Sequence, residues 1–547
     1  MLSLKIAGRP VDLPDDFSFT MNLKSPIFGE VGSYSYPFRI PNTPRNAILM
    51  GFRHRVENTT DVYKEDEGVF MWNGLNLFQG TVKLKTLNSK SFEGSIFEGE
   101  GDFYYSRKYL SLQDVDFGEM VFAGETLKMD YINDCKNRVY PERIVTFPMI
   151  LNKSYFEKLP PEPVLEYFNY YNGSLIYYFT PSAEPYDRSV IVPMLYLRYI
   201  LDKIFDHLGF VFDDSFFTSD SDYNSLALFN SVDCNTGETG YFEYDKLRLL
   251  FNYHLPRMTI NDFFLGLETF FNIRFFVNNT TKVVKLKSVD TIVKETDYIE
   301  FSQQVISKST EPEELITGFH LKMEMETDDE FYVASNEAQQ TLLTNIKSSV
   351  QSVSDLMPWP ASDVFDTRFV FDENNYYILN SSKVWVAVTE MYWTWNLFSE
   401  WIYKNNDQSI ETKFSTLKDD GVTPYNSLIG NAMTEWKKVT PKLFFTHYQD
   451  NGYGDQKQVG RCFTPTNNLF YGGQYGLMNK QYKAYLDFRM STKLVKINKQ
   501  MSYLELKEFD FSRKYMINGV KYLVKSIQVT LKKDRIMPAL LECYPCP

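Results

Sequence analysis

The sequence predicts a mainly β chain with an α/β insertion (α+β), divided into several domains: an N-terminal β-barrel or sandwich, central helix–strand units, and a C-terminal β domain. Three patterns carry this expectation. Apolar residues alternate at period 2 through the first hundred residues, apolar residues at helical spacing run into short strands twice between Pro193 and Leu286, and alternation returns after Asn518-Gly519. At 547 residues the chain is also too long for one ordinary core.

In the first part, Phe17, Phe19, Met21 and Leu23 alternate, as do Tyr34, Tyr36, Phe38 and Ile40, and each set reads as a strand with one buried face. Pro37 and Pro41 place the second strand at an edge or bulge, because proline cannot donate to a central ladder. Asn73-Gly74, between Val69-Phe-Met-Trp72 and Leu75-Asn-Leu-Phe78, is a hairpin signal, since both central residues of a type I′ turn need positive φ. Residues 1–130 are therefore expected to close into a small barrel or sandwich, with 131–190 as a connecting β segment.

Residues 191–310 read as an α/β domain. A helix after Pro193 carries Leu197, Ile200, Leu201, Ile204, Phe205 and Leu208, ends at Gly209, and leads into a strand at Phe210-Val-Phe212. In the second unit Asn261 is the expected cap of a helix bearing Phe264, Leu267, Phe270 and Phe271, with Asn272 as the stop. A strand at 273–277 then turns at Asn278-Asn279 into 283–286. The pair fits either an insertion or two related lobes.

Residues 311–440 form a mixed, Trp-rich β segment holding Trp359, Trp385, Trp393, Trp395 and Trp401, whose rings suit either a core or a glycan-stacking surface. Residues 441–547 return to β, with a glycine-rich stretch from Gly452 to Gly476 expected as loop. Beyond Asn518-Gly519, alternation over Val520, Tyr522 and Val524 changes phase to Ile527, Val529 and Leu531. That change predicts a bulge near Lys525-Ser526.

Composition narrows the function classes. An aromatic content of 16% excludes a disordered chain, and a net charge of −13 argues against a general nucleic-acid binder. No apolar run approaches the ~20 residues of a membrane span. The N-terminus lacks a basic stretch followed by an unbroken apolar one, so no signal peptide is expected. Five scattered cysteines, Cys135, Cys234, Cys462, Cys543 and Cys546, suit a reducing cytoplasm, and Cys543-x-x-Cys546 lacks the helix that a redox pair opens. Charge is uneven: residues 295–330 hold eleven acids and two bases, and residues 480–535 hold fourteen bases and five acids. These are two solvated faces, or two surfaces that dock acidic to basic between copies or onto a neighbour.

Little points to chemistry. No two of the five histidines lie at metal-ligand spacing. Asp220-x-Asp222-x-Asn224 begins like a calcium loop, but Ser225 and Ser231 stand where glycine and glutamate are required. Gly99-Glu-Gly101 is too short for a dinucleotide fingerprint. The pairs Asp213-Asp214, Asp328-Asp329 and Asp419-Asp420 could serve glycoside hydrolysis only with partners elsewhere, because neighbouring strand residues point to opposite faces. No catalytic residue, metal or cofactor is expected, and the chain reads as a non-enzyme.

One stretch carries a family resemblance. Tyr34-Ser-Tyr-Pro-Phe-Arg-Ile-Pro-Asn-Thr-Pro-Arg-Asn46, followed by Gly51-Phe-Arg-His-Arg55, resembles the opening of tail and baseplate proteins in tailed phages and prophages of gut Bacteroidales bacteria. The order of parts is similar to tail hub proteins of the tail-associated class, in which an N-terminal barrel, an α/β insertion and a returning β domain build a ring at the tail tip. The motif covers about fifty residues; the remainder is a likeness of layout.

The resemblance implies a virion structural protein, made in the host cytoplasm, that forms a homo-oligomeric ring, a trimer, around the tail axis. Its partners would be further copies, the tail tube or distal tail protein, and tail-tip or receptor-binding proteins, with phage DNA passing without specific binding. No segment resembles a peptidase or muramidase, so wall cutting is expected of a partner. Tyr34, Tyr36, Phe38, Arg39, Arg53 and Arg55 are candidate interface residues, and Glu311, Glu313, Glu314, Glu324 and Glu326 a candidate acidic channel or docking face. The competing expectation is a carbohydrate-binding or glycoside-cleaving protein using the Trp-rich segment.

Overall fold

A computed structural model describes residues 2–29, 33–55, 66–98, 109–151, 167–176, 191–232, 248–310, 318–323, 407–419, 441–471 and 475–546, apart from isolated positions, with single positions and short strands elsewhere. The chain is mainly β and divides into two compact units. The first joins Met1–Tyr109, Arg274–Leu315 and Phe488–Pro547; the second joins Leu110–Ile273 and Ile316–Asp487.

The first unit is organised by one 14-stranded sheet. Its strands are β1 (Leu2–Ile6), β2 (Arg9–Pro10), β3 (Ser18–Lys24), β4 (Ser33–Ser35), β5 (Phe38–Pro41), β6 (Asp66–Trp72), β7 (Leu75–Leu87) and β8 (Ser91–Glu98) from the N-terminal segment. The middle segment adds β9 (Tyr298–Glu300) and β10 (Val305–Thr310). The C-terminal segment adds β11 (Val495–Lys499), β12 (Lys514–Ile517), β13 (Val520–Lys532) and β14 (Ala539–Pro545). Hydrogen bonding runs β2-β1-β6-β7-β8-β4-β3-β13-β14-β11-β10, with β5 on β8, β12 on β13 and β9 on β12. The two ends of the chain meet at β3 and β13, antiparallel from Ser18↔Lys532 to Lys24↔Ser526.

Both hairpin signals are met. Asn73 (φ 51°) and Gly74 (φ 82°) join β6 to β7, and Asn518 (φ 50°) and Gly519 (φ 78°) join β12 to β13. The expected bulge lies between Val524 and Ser526 in the β13–β14 ladder, so Val524 and Ile527 both reach the core.

The described strands do not close into the barrel expected of the N-terminal part. The chain reverses at Ala7-Gly8, and β2 then occupies, beside Lys5 and Ile6, the side of β1 that closure would need. Where β1 returns to β13, one backbone bond is made, from the Leu2 N–H to the Lys533 carbonyl at 3.0 Å.

One apolar cluster, drawn from all three segments, fills the inner face. Phe19 stacks on Phe70 and meets Phe38 and Phe78 edge-on, at 5.9 and 5.8 Å between centroids. Gly68 is required here, because a Cβ would strike Val82 and Ile96. The expected alternation from Tyr34 to Ile40 fails at one point. The strand breaks at Tyr36-Pro37, so Tyr34 faces outward while Phe38 and Ile40 face the core.

The second unit is built from short elements. Its helix Leu197–His207 buries Leu197, Ile200, Leu201, Ile204 and Phe205, and Gly209 (φ 72°) follows it. Helix Ile260–Phe271 is capped by Thr259 rather than Asn261. The Thr259 Oγ1 accepts from the Asp262 N–H at 3.0 Å and donates to the Asp262 carboxylate at 2.8 Å, and Asn272 ends the helix in the left-handed region. Gly266 on this helix lies against the Phe414 ring, leaving no room for a Cβ.

Strand Lys442–Asp450 pairs with Leu226–Leu228, Ser415–Thr416 and Gln456–Arg461. The last of these falls within the stretch expected as loop; its polar Gln456-Lys-Gln458 opening hides the strand in the sequence. Of the tryptophan segment, only backbone strands such as Trp385–Val386 and Glu390–Thr394 are placed, and Trp359, Trp395 and Trp401 lie outside the described residues. No described helix is long and apolar enough to cross a membrane.

Candidate functional site

The residues that carry the family resemblance form a clamp in the first unit. Thr43 caps the short helix Pro44–Leu49, accepting from the Asn46 N–H at 3.2 Å, and Pro44 supplies a first-turn φ without wasting a donor. Asn46 is fully buried. Its Oδ1 accepts from the Asp12 N–H at 2.9 Å, and its Nδ2 donates to the Asp12 and Pro41 carbonyls at 3.0 and 2.9 Å. The Thr43 hydroxyl donates to the Asp12 carboxylate at 2.8 Å, and Arg45 pairs with it at 3.3 Å in solvent. The segment after β2 is thereby fixed to the end of β5 through backbone groups. Thr43 and Asn46 belong to the resemblance motif, in which Thr-Pro at a helix start is a readable cap, whereas nothing local in the sequence marks Asp12.

This clamp positions the strands bearing the candidate interface. Tyr34 is half-buried on the outer face, where its hydroxyl accepts from Asn22 Nδ2 at 3.0 Å, and Lys24 stands 5.7 Å over its ring. The exposed Tyr36 meets Tyr34 edge-on at 5.9 Å. Arg39 is exposed and paired across the strands with Glu93 at 2.9 Å. Arg55 is exposed, its guanidinium 4.5 Å over Phe52. Phe38 belongs to the core, and Arg53 is buried against the Asp66 carboxylate at 2.8 Å, so neither side chain is presented to the surface of this unit. Glu311, Glu313, Glu314, Glu324 and Glu326 lie outside the described residues.

Part of the basic C-terminal excess is internal. Lys499 is fully buried, 2.8 Å from Glu505 and 4.3 Å over the Phe301 ring. Burial opposes the Glu505 charge, but the bonds from Lys499 and Ser502 prevail and hold its carboxyl below the ordinary range. Lys514 donates to the Val293 carbonyl at 2.8 Å, and burial pushes its ammonium below the usual lysine range. The C-terminal thiols move away from reactivity: burial pushes Cys546 up to about 11 and raises Cys543 further.

In the second unit, Asp220 and Asp222 tie the turn Ser221–Ser225 to the loop after Cys462. Asp222 accepts from the Thr464 and Thr466 hydroxyls, the latter at 2.6 Å, and from Asn467 Nδ2 at 2.8 Å. Lys480 lies 3.4 Å from Asp220 and donates to Asn467 at 2.8 Å. Burial opposes the Asp222 charge, but these donors and the ammonium hold its carboxyl below the ordinary range. Asp213 accepts from the Ser215 N–H and Asp214 pairs with Arg198, so these two carboxylates are committed separately. Asp328, Asp329 and Asp420, and the Asp419 side chain, lie outside the described residues. No three His, Cys, Asp or Glu among the described residues gather as a metal site.

A cleft of about 570 Å³ opens between residues 111–113 and 252–259. Its polar lining is occupied with holding the two segments together: Gln113 donates to the Leu255 and Pro256 carbonyls at 3.2 Å, and Asn252 to those of Gln113 and Val115 at 3.2 and 2.7 Å. The rest of the lining is Ser111, Tyr253, Leu255, the exposed Arg257, Met258 and Thr259.

No protein-family model and no curated protein matches the chain. Among solved structures, it is similar to the 43 kDa tail protein of prophage MuSo2 from Shewanella oneidensis, at 8% identity and a TM-score of 0.33, over 99% of this chain and 97% of that one. It is also similar to a tail protein from Neisseria meningitidis MC58, at 6% identity and a TM-score of 0.30, over 99% of this chain and 95% of that one.

Proposed function

We propose that the protein is a structural subunit of a phage tail: one member of a trimeric tail-tip or baseplate hub ring that joins the tail tube to distal tail proteins and surrounds the DNA channel. The observation that carries this reading is the β3–β13 ladder. It brings residues 18–24 and 526–532 into one sheet, and both segments of the second unit lie between those stretches in the sequence, in keeping with the order of parts expected of the tail hub proteins. Further support is local, since the resemblance motif is spent on the clamp that presents Tyr34, Tyr36 and Arg39.

In this reading those three residues, with Arg55, contact neighbouring copies, using amphipathic rings and planar cations as interfaces commonly do. The acidic stretch containing Glu311, Glu313, Glu314, Glu324 and Glu326 faces the channel, where like charge keeps DNA from adhering. The subunit is made in a bacterial cytoplasm, with gut Bacteroidales as hosts, and resides in the virion tail. It performs no turnover.

The test is the mass and shape of the purified full chain by native mass spectrometry and electron microscopy. A closed ring of three copies is expected, and Tyr36→Ala with Arg39→Ala should shift it toward monomer. A stable monomer that cleaves polysaccharide, with activity lost in Trp393→Ala or Trp395→Ala, would replace this reading with the carbohydrate one.

A further inference from the structure

Sheet edges are the places where a β protein pairs with copies of itself unless the sequence prevents it. In the first unit the main path of the ladder ends at β2 and β10, while the branch strands β5 and β9 are only four and three residues long. The β2 end is two residues long and contains Pro10, which has no N–H to offer. The β10 end is different. It has six residues, exposed from Ile306 to Thr310, and no described strand pairs with its outer side.

Two features of β10 stand against pairing. The register with β11 slips between Val305 and Ser307, so a bulge at Ile306 disturbs the edge. Beyond it, Lys308 lies opposite Ile497, which is fully buried, and Thr310 lies opposite Val495. Directly opposed residues share a face, so Lys308 occupies a core-facing position at the open end of the sheet. Its ammonium stands 5.4 Å over the ring of Tyr522, itself a core residue, while the side chain stays exposed at the rim. A strand added to β10 would continue the sheet, bring its own inward side chains over Lys308, and close the ammonium off from water.

We infer that Lys308 is a guard residue that keeps β10 from pairing with β10 of a second copy of this chain. The guard does not depend on the tail reading, because it concerns which surface copies cannot use. Contacts between copies then fall on side-chain faces rather than on strand addition.

The test compares sedimentation of the full chain across a concentration series for the native sequence, Lys308→Val, Lys308→Met, Lys308→Arg and Ser309→Val. Ser309 lies opposite Lys496 on the outer face, so valine there raises β-propensity without removing the inward charge. Lys308→Val and Lys308→Met should form assemblies larger than the native chain's own at concentrations at least about tenfold lower than the native sequence does, and Lys308→Arg and Ser309→Val should not. Ser309→Cys should cross-link copies only when combined with Lys308→Val or Lys308→Met. The methionine variant keeps the aliphatic stem, so it reports the charge if valine disturbs folding. A folded Lys308→Met that sediments like the native chain, or a Ser309→Val that associates equally, would overturn the inference.

Discussion

The two units solve the burial problem differently. The first relies on long antiparallel ladders around one apolar cluster, with strands of up to 13 residues. The second has mostly short strands and stitches its segments with buried polar side chains. Asn169 donates to the Pro148 and Val192 carbonyls and accepts from the Val192 N–H, at 2.9, 2.9 and 2.8 Å. Gln458 accepts from Thr146 at 2.5 Å, and Asn230 meets His254 Nδ1 at 2.9 Å. Apolar burial tolerates small errors of shape at moderate cost, whereas a buried polar group that loses its partner is charged the full cost of its desolvation. The second unit should therefore be sensitive to different substitutions, and to acid.

The largest expected effect lies in the first unit. Phe19→Ala removes a buried ring from the centre of the aromatic cluster and should cost about 4 kcal/mol. Hydrogen exchange read over β3 and β13 checks it; unchanged protection there would break the contrast. Asn169→Ala should cost about 3 kcal/mol in the second unit, because it leaves buried backbone groups unmet. Exchange over 145–151 and 191–195 should rise while β3 and β13 keep their protection.

Acid sharpens the comparison. Burial pushes His254 down to about 3, so the folded state holds it neutral while the unfolded chain takes up a proton below pH 6.5. Its contribution is complete above pH 6.5, is lost as pH falls toward 3, and amounts to about 2 kcal/mol of lost stability by pH 5. His254→Gln should flatten the pH dependence of unfolding over that window; an unchanged slope would remove His254 as its cause. Asp222, held low, acts in the same direction at lower pH, and its stabilisation disappears as pH drops through its depressed folded value. The smallest effect is at a turn: Asn518→Ala must hold φ near 50° and should cost about 1 kcal/mol, measurable as a shift in denaturant midpoint.

The same contrast explains what was legible. Features of the first unit that depend on period and turn chemistry could be read from the residues, including both Asn-Gly hairpins and the bulge at Lys525, because a phase change in alternation has one local cause. The open ladder could not be read. It depends on β2 lying beside β1, a contact made by two residues. The Thr259 cap was readable through Asp262 three residues on, but Asn261 competed for the role. In the second unit, Gln456–Arg461 concealed a strand because Gln458 is buried for its hydrogen bond and not for its polarity. Of the candidate interface residues, Tyr36, Arg39 and Arg55 are exposed in the structure. Phe38 and Arg53 are not, and nothing local announces the strand break at Pro37 or the ion pair with Asp66.

The ladder between β3 and β13 is the feature on which both architecture and proposed function rest, and it can be tested by chemistry. Thr20 and Thr530 face each other across it, with their hydroxyls 2.9 Å apart. In the double variant Thr20→Cys, Thr530→Cys, mild oxidation should give an intramolecular disulfide in nearly every chain, closing a loop of about five hundred residues and raising resistance to unfolding. Two thiols that stay reduced in the folded protein, or that pair only between chains, would contradict the joining of the chain's two ends in one sheet.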